Sequence, residues 1–308
     1  MTGAPGKAFA AAACAAVICS VSYAQAGLGA VRPAGERLHF VAFGDFGRKG
    51  KPWEGEVARA IARRAAADPV DIGLTMGDNF YECGVRSVGD PKFHDLWEAF
   101  YGSLGVPFYP TFGNHDYGRG DGACALRTAR SEAEIEYSKF SKTWRMPARY
   151  YTFTAGPVQF FALDTVAWNA RERDWLRSLL RAPHPPGIVW RFAYGHHPVY
   201  SSGRHHVDAR VKQLQRELLP LLARYGVDVY AAGHDHHLEH LRVDAVDLFI
   251  AGGGGDAVRP VRHRDRRSLA AASEHGFLDA VADAHSLRIT LFNTSLHPLE
   301  PRPFEKRR

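Results

Sequence analysis

Short apolar runs alternate along the chain with amphipathic stretches, and most of the runs stop at a glycine. Leu38–Phe43 (LHFVAF), Val70–Met76 (VDIGLTM) and Val106–Phe112 (VPFYPTF) are the first three. Runs this short, bounded by polar loops, predict buried strands. Between them, Trp53–Ala67 has the spacing of an amphipathic helix and Asp90–Gly102 is helical in pattern. A polar stretch follows, with a helix expected over Ser131–Ser141.

The second half changes character. Tyr150–Thr154 and Val158–Leu163 flank Ala155-Gly156-Pro157 and read as a hairpin. Arg171–Arg181 predicts a helix and Ile188–Tyr194 a strand. Val207–Arg224 reads as the longest helix, with apolar residues at Val207, Val211, Leu214, Leu218, Leu221 and Leu222. Strands are expected at Val227–Ala232, Leu238–Val243, Val246–Ala251, Phe277–Ala282 and Leu287–Phe292, and the basic end (EKRR) as a solvated tail. A βαβαβ start followed by hairpins predicts an α/β protein with two mixed β-sheets packed face to face and helices outside. A single doubly wound sheet would not turn hairpin-rich halfway.

The first residues read as an address. Lys7 precedes an Ala-rich apolar run, Ala8–Val21, and Ala24-Gln25-Ala26 has the small-x-small pattern of a signal-peptidase site. Residues 1–26 are thus expected to be a cleaved signal peptide and 27–308 a single domain, secreted or periplasmic. The run is too short for a membrane anchor. Two of the four cysteines, Cys14 and Cys19, fall in this segment. The remaining two, Cys83 and Cys124, predict one disulfide in an oxidising compartment, with two buried thiols as the alternative.

Composition adds little beyond an ordinary globular core: 45% of residues are hydrophobic and 23% charged. Thirty-nine Lys and Arg stand against 33 Asp and Glu, a net charge of +6. The signs are interspersed, so no nucleic-acid arm is expected.

The chemistry gathers where five strands end: Gly44-Asp45, Gly77-Asp78-Asn79-Phe80-Tyr81, Gly113-Asn114-His115-Asp116, Gly195-His196-His197 and Gly233-His234-Asp235-His236. Any one could be a turn, since surface loops favour Gly, Asn and Asp. All five at carboxyl ends of expected strands lie where open α/β sheets build their sites. Together they offer carboxylates, a phenol, an amide and several imidazoles. That is too many donors for one zinc and suits two metals clamping an in-line phosphoryl displacement.

The ordered set GDFG, GDNFY, GNHD, GHHPVYS and GHDH resembles the metallophosphoesterase superfamily and, more narrowly, purple acid phosphatases of the small tartrate-resistant type. The match extends through FALDT at residues 161–165 to FIAGGGGD, ending near Gly255. Tyr81 is its most selective residue, because the broader superfamily lacks this phenolate. The segment Cys124–Met146 has no counterpart motif, and the Gly252–Asp256 run is richer in glycine than the family's turn.

The resemblance implies an αββα metallophosphoesterase fold and a binuclear centre. Asp45, Tyr81 and His236 with bridging Asp78 would hold Fe(III), whose hardness favours anionic oxygen donors. Asn114, His196 and His234 with Asp78 would hold divalent Fe, Zn or Mn. A metal-bound hydroxide would attack the phosphorus of a phosphomonoester in line with the leaving group. His115 would protonate the leaving alkoxide, and Asp116 could orient that imidazole. His205 stands where the family has another pocket histidine, with His206 its neighbouring rival. Substrates would be small phosphate esters or phosphoproteins. On the same scaffold the alternative is a phosphodiesterase or nucleotide-processing enzyme. From another class, a non-catalytic metal- or phosphate-binding protein would be expected to have lost a ligand, and none is missing. The other histidines have structural expectations: His197 beside a ligand, His237 and His240 structural or solvated, and His39, His94, His184, His263, His275, His285 and His297 on the surface.

Overall fold

The computed structural model describes residues 26–33, 35–118 and 128–308. The expected leader, apart from Ala26, and Cys124 lie outside these residues.

Two sheets form the body. One runs in spatial order through Ala26–Ala30, Tyr151–Ala155, Val158–Ala162, Trp190–Tyr194, Val229–Ala232, Val246–Ala251, Leu238–Val243 and Ser268–Ala272. The other runs through Phe304–Arg307, Ser286–Asn293, Gly276–Ala282, Leu38–Phe43, Ile72–Met76 and Phe108–Thr111. Both mix parallel and antiparallel pairs. The sheets meet through aromatic residues: Phe40 on one packs edge-on against Phe160 and Phe192 on the other, at 5.1 and 5.2 Å between ring centroids. Such edge-to-face pairs suit the ring quadrupole.

A second apolar layer covers the outer face of the larger sheet. Trp175, Leu176 and Leu180 from helix Ala170–Arg181, with Leu214, Leu218 and Leu222, pack on Phe161, Ala193, Tyr230 and Leu248. Asn169 caps that helix, its side chain accepting from the backbone N–H of Arg171 and Glu172. Helix Trp53–Ala67 lies on the smaller sheet against Gly276–Ala282. The expected αββα layering is therefore the observed one.

Several expectations need correction. The long helix over Val207–Arg224 is broken. A 3₁₀ turn over Arg204–Val207 gives way to an extended Asp208, then to helices Ala209–Glu217 and Leu219–Arg224. Pro220 explains the second break: it has no N–H to give and its ring crowds the preceding turn. The segment Asp90–Gly102 is helical only in part. A π-helical turn, His94–Glu98, runs into Ala99–Tyr101 and ends in 3₁₀ geometry at Gly102–Leu104. The basic tail is not solvated: Phe304–Arg307 pairs with Ser286–Asn293, and Lys306 and Arg308 reach the buried Asp228 at 3.0 and 2.7 Å. His39 is not on the surface. It is fully buried, its Nε2 at 2.7 Å from Asp279 and its Nδ1 at 3.1 Å from the Pro69 carbonyl. A central strand is covered on both faces, so its polar members must find partners inside.

Candidate metal centre

Five loops deliver the site, each from the carboxyl end of a strand. Asp45 follows Leu38–Phe43, Asp78 and Tyr81 follow Ile72–Met76, and Asn114 and His115 follow Phe108–Thr111. From the other sheet, His196 follows Trp190–Tyr194, and His234 and His236 follow Val229–Ala232. Three of these side chains sit on left-handed backbone: Asp45 at φ 61°, Asp78 at 49° and His234 at 68°. Non-glycine residues avoid that region, and its occurrence clusters at functional sites. Two glycines make the crowding possible. A Cβ on Gly113 would lie 2.1 Å from Asp78 Oδ1, and one on Gly233 would lie 2.2 Å from Asp45 Oδ2.

The donors form two sets that share Asp78. In the first, Tyr81 Oη lies 3.3 Å from Asp45 Oδ1, 3.1 Å from Asp78 Oδ2 and 3.3 Å from His236 Nε2. In the second, His196 Nε2 lies 3.0 Å from Asn114 Oδ1, 3.0 Å from His234 Nδ1 and 3.5 Å from Asp78 Oδ1. Asp78 turns one oxygen to each set. All seven expected ligands are therefore brought together.

The outer nitrogens fix what the inner ones can do. His196 Nδ1 pairs with the Met76 carbonyl at 2.9 Å, and His236 Nδ1 with the Ala257 carbonyl at 3.0 Å. A carbonyl only accepts, so both outer nitrogens carry the proton. His234 Nε2 faces Asp208 Oδ2 at 3.2 Å and is the protonated nitrogen for the same reason. In the neutral rings, the three inner nitrogens then present bare lone pairs. Those of His196 and His234 converge with the Asn114 oxygen. Three acceptors at hydrogen-bond distance with no proton between them repel; a cation among them turns the repulsion into ligation. Around Tyr81, one phenol proton serves three acceptors, on His236, Asp45 and Asp78. Imidazoles locked by an outer carboxylate or carbonyl are what metal sites use to orient ligands. The donor chemistry therefore fits a pair of cations.

Electrostatics agree. Burial pushes the Asp78 carboxyl up, but the imidazoles of His196 and His115 outweigh it and hold it down at about 2. Burial, then the carboxylates of Asp78 and Asp45, push the Tyr81 phenol well above its ordinary range in the metal-free protein. A bound cation would reverse that.

The acid–base candidates fall less evenly. His115 Nδ1 pairs with the Glu82 carbonyl at 2.6 Å, and its Nε2 lies 3.8 Å from Asp78 Oδ2. Asp116 does not orient this ring. Its carboxylate accepts from the backbone N–H of Gly113 at 2.7 Å, Asn79 at 2.9 Å and Phe80 at 3.0 Å. It ties two ligand loops together, and burial followed by the Asp78 charge pushes its carboxyl up to about 7. His205 is at the site, its ring 4.2 Å from that of His234. Its Nδ1 pairs with Asp208 at 2.9 Å, while Arg204 Nε and Arg259 donate to its Nε2 at 3.0 and 2.8 Å. Burial, then the neighbouring His234, hold it down at about 4, so it is an acceptor there. His197 is buried beside the ligands, its Nδ1 3.2 Å from Thr165 Oγ1 and its ring 4.4 Å from that of His234.

Three further residues of the site escaped sequence reasoning. Asp208 joins His205 and His234 and forms with them a second grouping of metal-ligand type. Its place in an expected helix hid it. Thr165 Oγ1 accepts from the backbone N–H of His196 and His197, at 3.1 and 2.9 Å. Arg48, in the GDFG-Arg-Lys-Gly loop, stacks its guanidinium 4.4 Å from the Tyr81 ring centroid and pairs with Asp256 and Glu82.

A buried set of oxygen and imidazole donors spanning two sheets fits a metal centre. Residues 30–238 match the model of the calcineurin-like phosphoesterase family. The chain is 31% identical over 264 residues to tartrate-resistant acid phosphatase type 5 of Homo sapiens, covering 75% of this chain and 76% of that protein. It is 31% identical over 244 residues to purple acid phosphatase 7 of Arabidopsis thaliana, covering 71% of this chain and 70% of that one. The chain therefore belongs to the calcineurin-like phosphoesterases and, within them, to the purple acid phosphatases of the tartrate-resistant type. The fold alone is shared with purple acid phosphatase PPD1 from yellow lupin, at a TM-score of 0.68 and 18% identity, over 89% of this chain and 54% of that one.

Proposed function

We propose that the protein is an exported acid phosphatase that hydrolyses phosphate monoesters, small esters or phosphoproteins, at two metal ions. Fe(III) would be held by Asp45, Tyr81, His236 and Asp78. Divalent Fe, Zn or Mn would be held by Asn114, His196, His234 and Asp78. The observation that carries the reading is the convergence of seven donors in two sets on the shared Asp78, with the phenol of Tyr81 in one set only. A phenolate with two carboxylates suits a hard trivalent ion; an amide with two imidazoles suits a divalent one. When bound, such a pair supplies Lewis acidity at the phosphate oxygens and lowers the pKa of water.

The chain's own residues do the rest. His115 commits its Nδ1 proton to Glu82, so a proton carried on Nε2 is the one available to the departing alkoxide. Asp208 holds the His234 ring by its outer nitrogen, and Thr165 fixes the backbone that carries His196. The export reading is supported by the basic start, apolar run and small-x-small pattern of residues 1–26. Cys83 is disulfide-bonded, which supports its pairing with Cys124. The test is metal analysis of the purified protein together with rates on a phenyl phosphate monoester and its bis-ester. Two metals per chain and faster monoester hydrolysis are expected. A metal-free protein, or one that cleaves only the bis-ester, would refute the proposal.

A further inference from the structure

Beside the centre lies a cavity of about 360 Å³ whose lining is cationic. Arg204 and His206 come from the turn after Gly203; Arg259, Arg262 and His263 come from the loop after Asp256. Among the described residues, no carboxylate lines it. None of the three guanidiniums forms an ion pair with a carboxylate among the described residues, whereas the neighbouring Arg267 pairs with Asp265. The acids behind the cavity are spent elsewhere. Asp235 accepts from Ser201 Oγ at 2.5 Å and from the His205 N–H at 3.1 Å; Glu239 accepts from the Ser202 N–H at 2.8 Å and pairs with His237 at 2.9 Å. The imidazoles of His206 and His263 stack at 5.4 Å, bringing two more titratable nitrogen rings to the same wall from separate loops.

The cavity communicates with the centre through His205, to whose Nε2 two of its arginines, Arg204 and Arg259, donate. The His205 ring lies against that of ligand His234. The backbone N–H of Arg259 also bonds the carbonyl of ligand His236 at 2.9 Å. An anion in the cavity would thus sit within the reach of a sugar or short polyol from a phosphate at the metals. Volume in this range suits a small molecule rather than a polymer. Forked guanidiniums without a carboxylate partner match phosphate oxygens bidentately.

We infer that this cavity is a second-phosphate subsite, selecting phosphate esters that carry another phosphate a few bonds from the scissile one. This rests on the phosphatase reading above and narrows it from monoesters in general to small bisphosphates. A flat basic patch would attract any anion weakly; a concave one beside the ligands discriminates by distance as well.

The test compares fructose 1,6-bisphosphate with fructose 6-phosphate on the metal-loaded full chain. The bisphosphate should be favoured in kcat/KM by about tenfold or more, chiefly through KM, and Arg262→Gln with His263→Gln should reduce that ratio to about one. Calorimetric binding of fructose 1,6-bisphosphate should weaken by about tenfold in the same variant. Equal wild-type kcat/KM for the two sugars, or equal binding by wild type and variant, would overturn the subsite. So would preferential turnover of a phosphoserine peptide with acidic flanks. If neither sugar nor a phenyl phosphate is hydrolysed, the phosphatase reading fails by itself, and the calorimetric comparison still decides the subsite.

Discussion

Nδ1 of His234 and Nε2 of His196 face each other at 3.0 Å, and each ring's other nitrogen is taken by an outer acceptor. Two lone pairs held nose to nose are a site shaped for a guest. Asp78→Ala should therefore leave the purified protein short of both metals, since this carboxylate turns an oxygen to each donor set. Metal content by mass spectrometry is the readout; a variant with full occupancy would exclude the shared-ligand role.

Colour is the next expectation. Tyr81 bound to Fe(III) gives a charge-transfer band in the visible, so the oxidised protein should be coloured. Tyr81→Phe should abolish the band while far-ultraviolet circular dichroism stays unchanged. An iron-loaded but colourless wild type would return the protein to metallophosphoesterases that lack the phenolate.

His115→Ala should keep the metals and lose on the order of 10²–10⁴ in turnover, the usual contribution of a positioned acid. The loss should shrink for esters of acidic phenols, whose oxygen leaves without a proton. A uniform loss across leaving groups would make His115 a phosphate-binding residue instead.

Disulfide pairing of Cys83 with Cys124 predicts no free thiol in the denatured, unreduced mature protein. Reduction should destabilise it by about 2–4 kcal/mol. Two titratable thiols would end the idea.

Stability should fall as the solution becomes alkaline, because of Glu54. Its side chain is buried at the start of helix Trp53–Ala67, one carboxyl oxygen has no hydrogen-bond partner among the described residues, and burial pushes it up to about 9. A carboxyl whose folded pKa exceeds its unfolded value contributes its full stability below the unfolded value, near 4.5. That contribution drains away as pH rises through the folded value. Between those limits the slope is at most about 1.4 kcal/mol per pH unit. Glu54→Gln should flatten the melting temperature of the metal-loaded protein between pH 5 and pH 8 (about the window set by the shift). Parallel profiles for variant and wild type would show that Glu54 is not the source.

Five of the seven metal donors were legible because each announces itself twice, by residue type and by the glycine before it at a strand end; Tyr81 and His236 follow in the same loops. The strands over Leu38–Phe43 and the helix over Trp53–Ala67 were legible for the same reason: period and boundaries agree. What escaped the sequence was set by tertiary partners. Ser268–Ala272 is alanine-rich and becomes a strand only because Leu238–Val243 offers it an edge. Phe304–Arg307 looks like a charged tail until Asp228 neutralises it. Asp116 has the right neighbour in His115 but lies where three backbone N–H groups claim its oxygens, and adjacency in sequence says nothing of that.

The strand that carries Asp45 pairs on one side with Gly276–Ala282, and His39 meets Asp279 across 240 residues. On the ribosome or in a translocation channel, that partner emerges late, followed only by Ser286–Asn293 and Phe304–Arg307 among the strands. Until it arrives, Leu38–Phe43 has only Ile72–Met76 beside it, and the other side of the strand leading to Asp45 is unpaired. Completion of the sheet that positions the Asp45 loop therefore waits for the C-terminal part of the chain, and a full donor set with it.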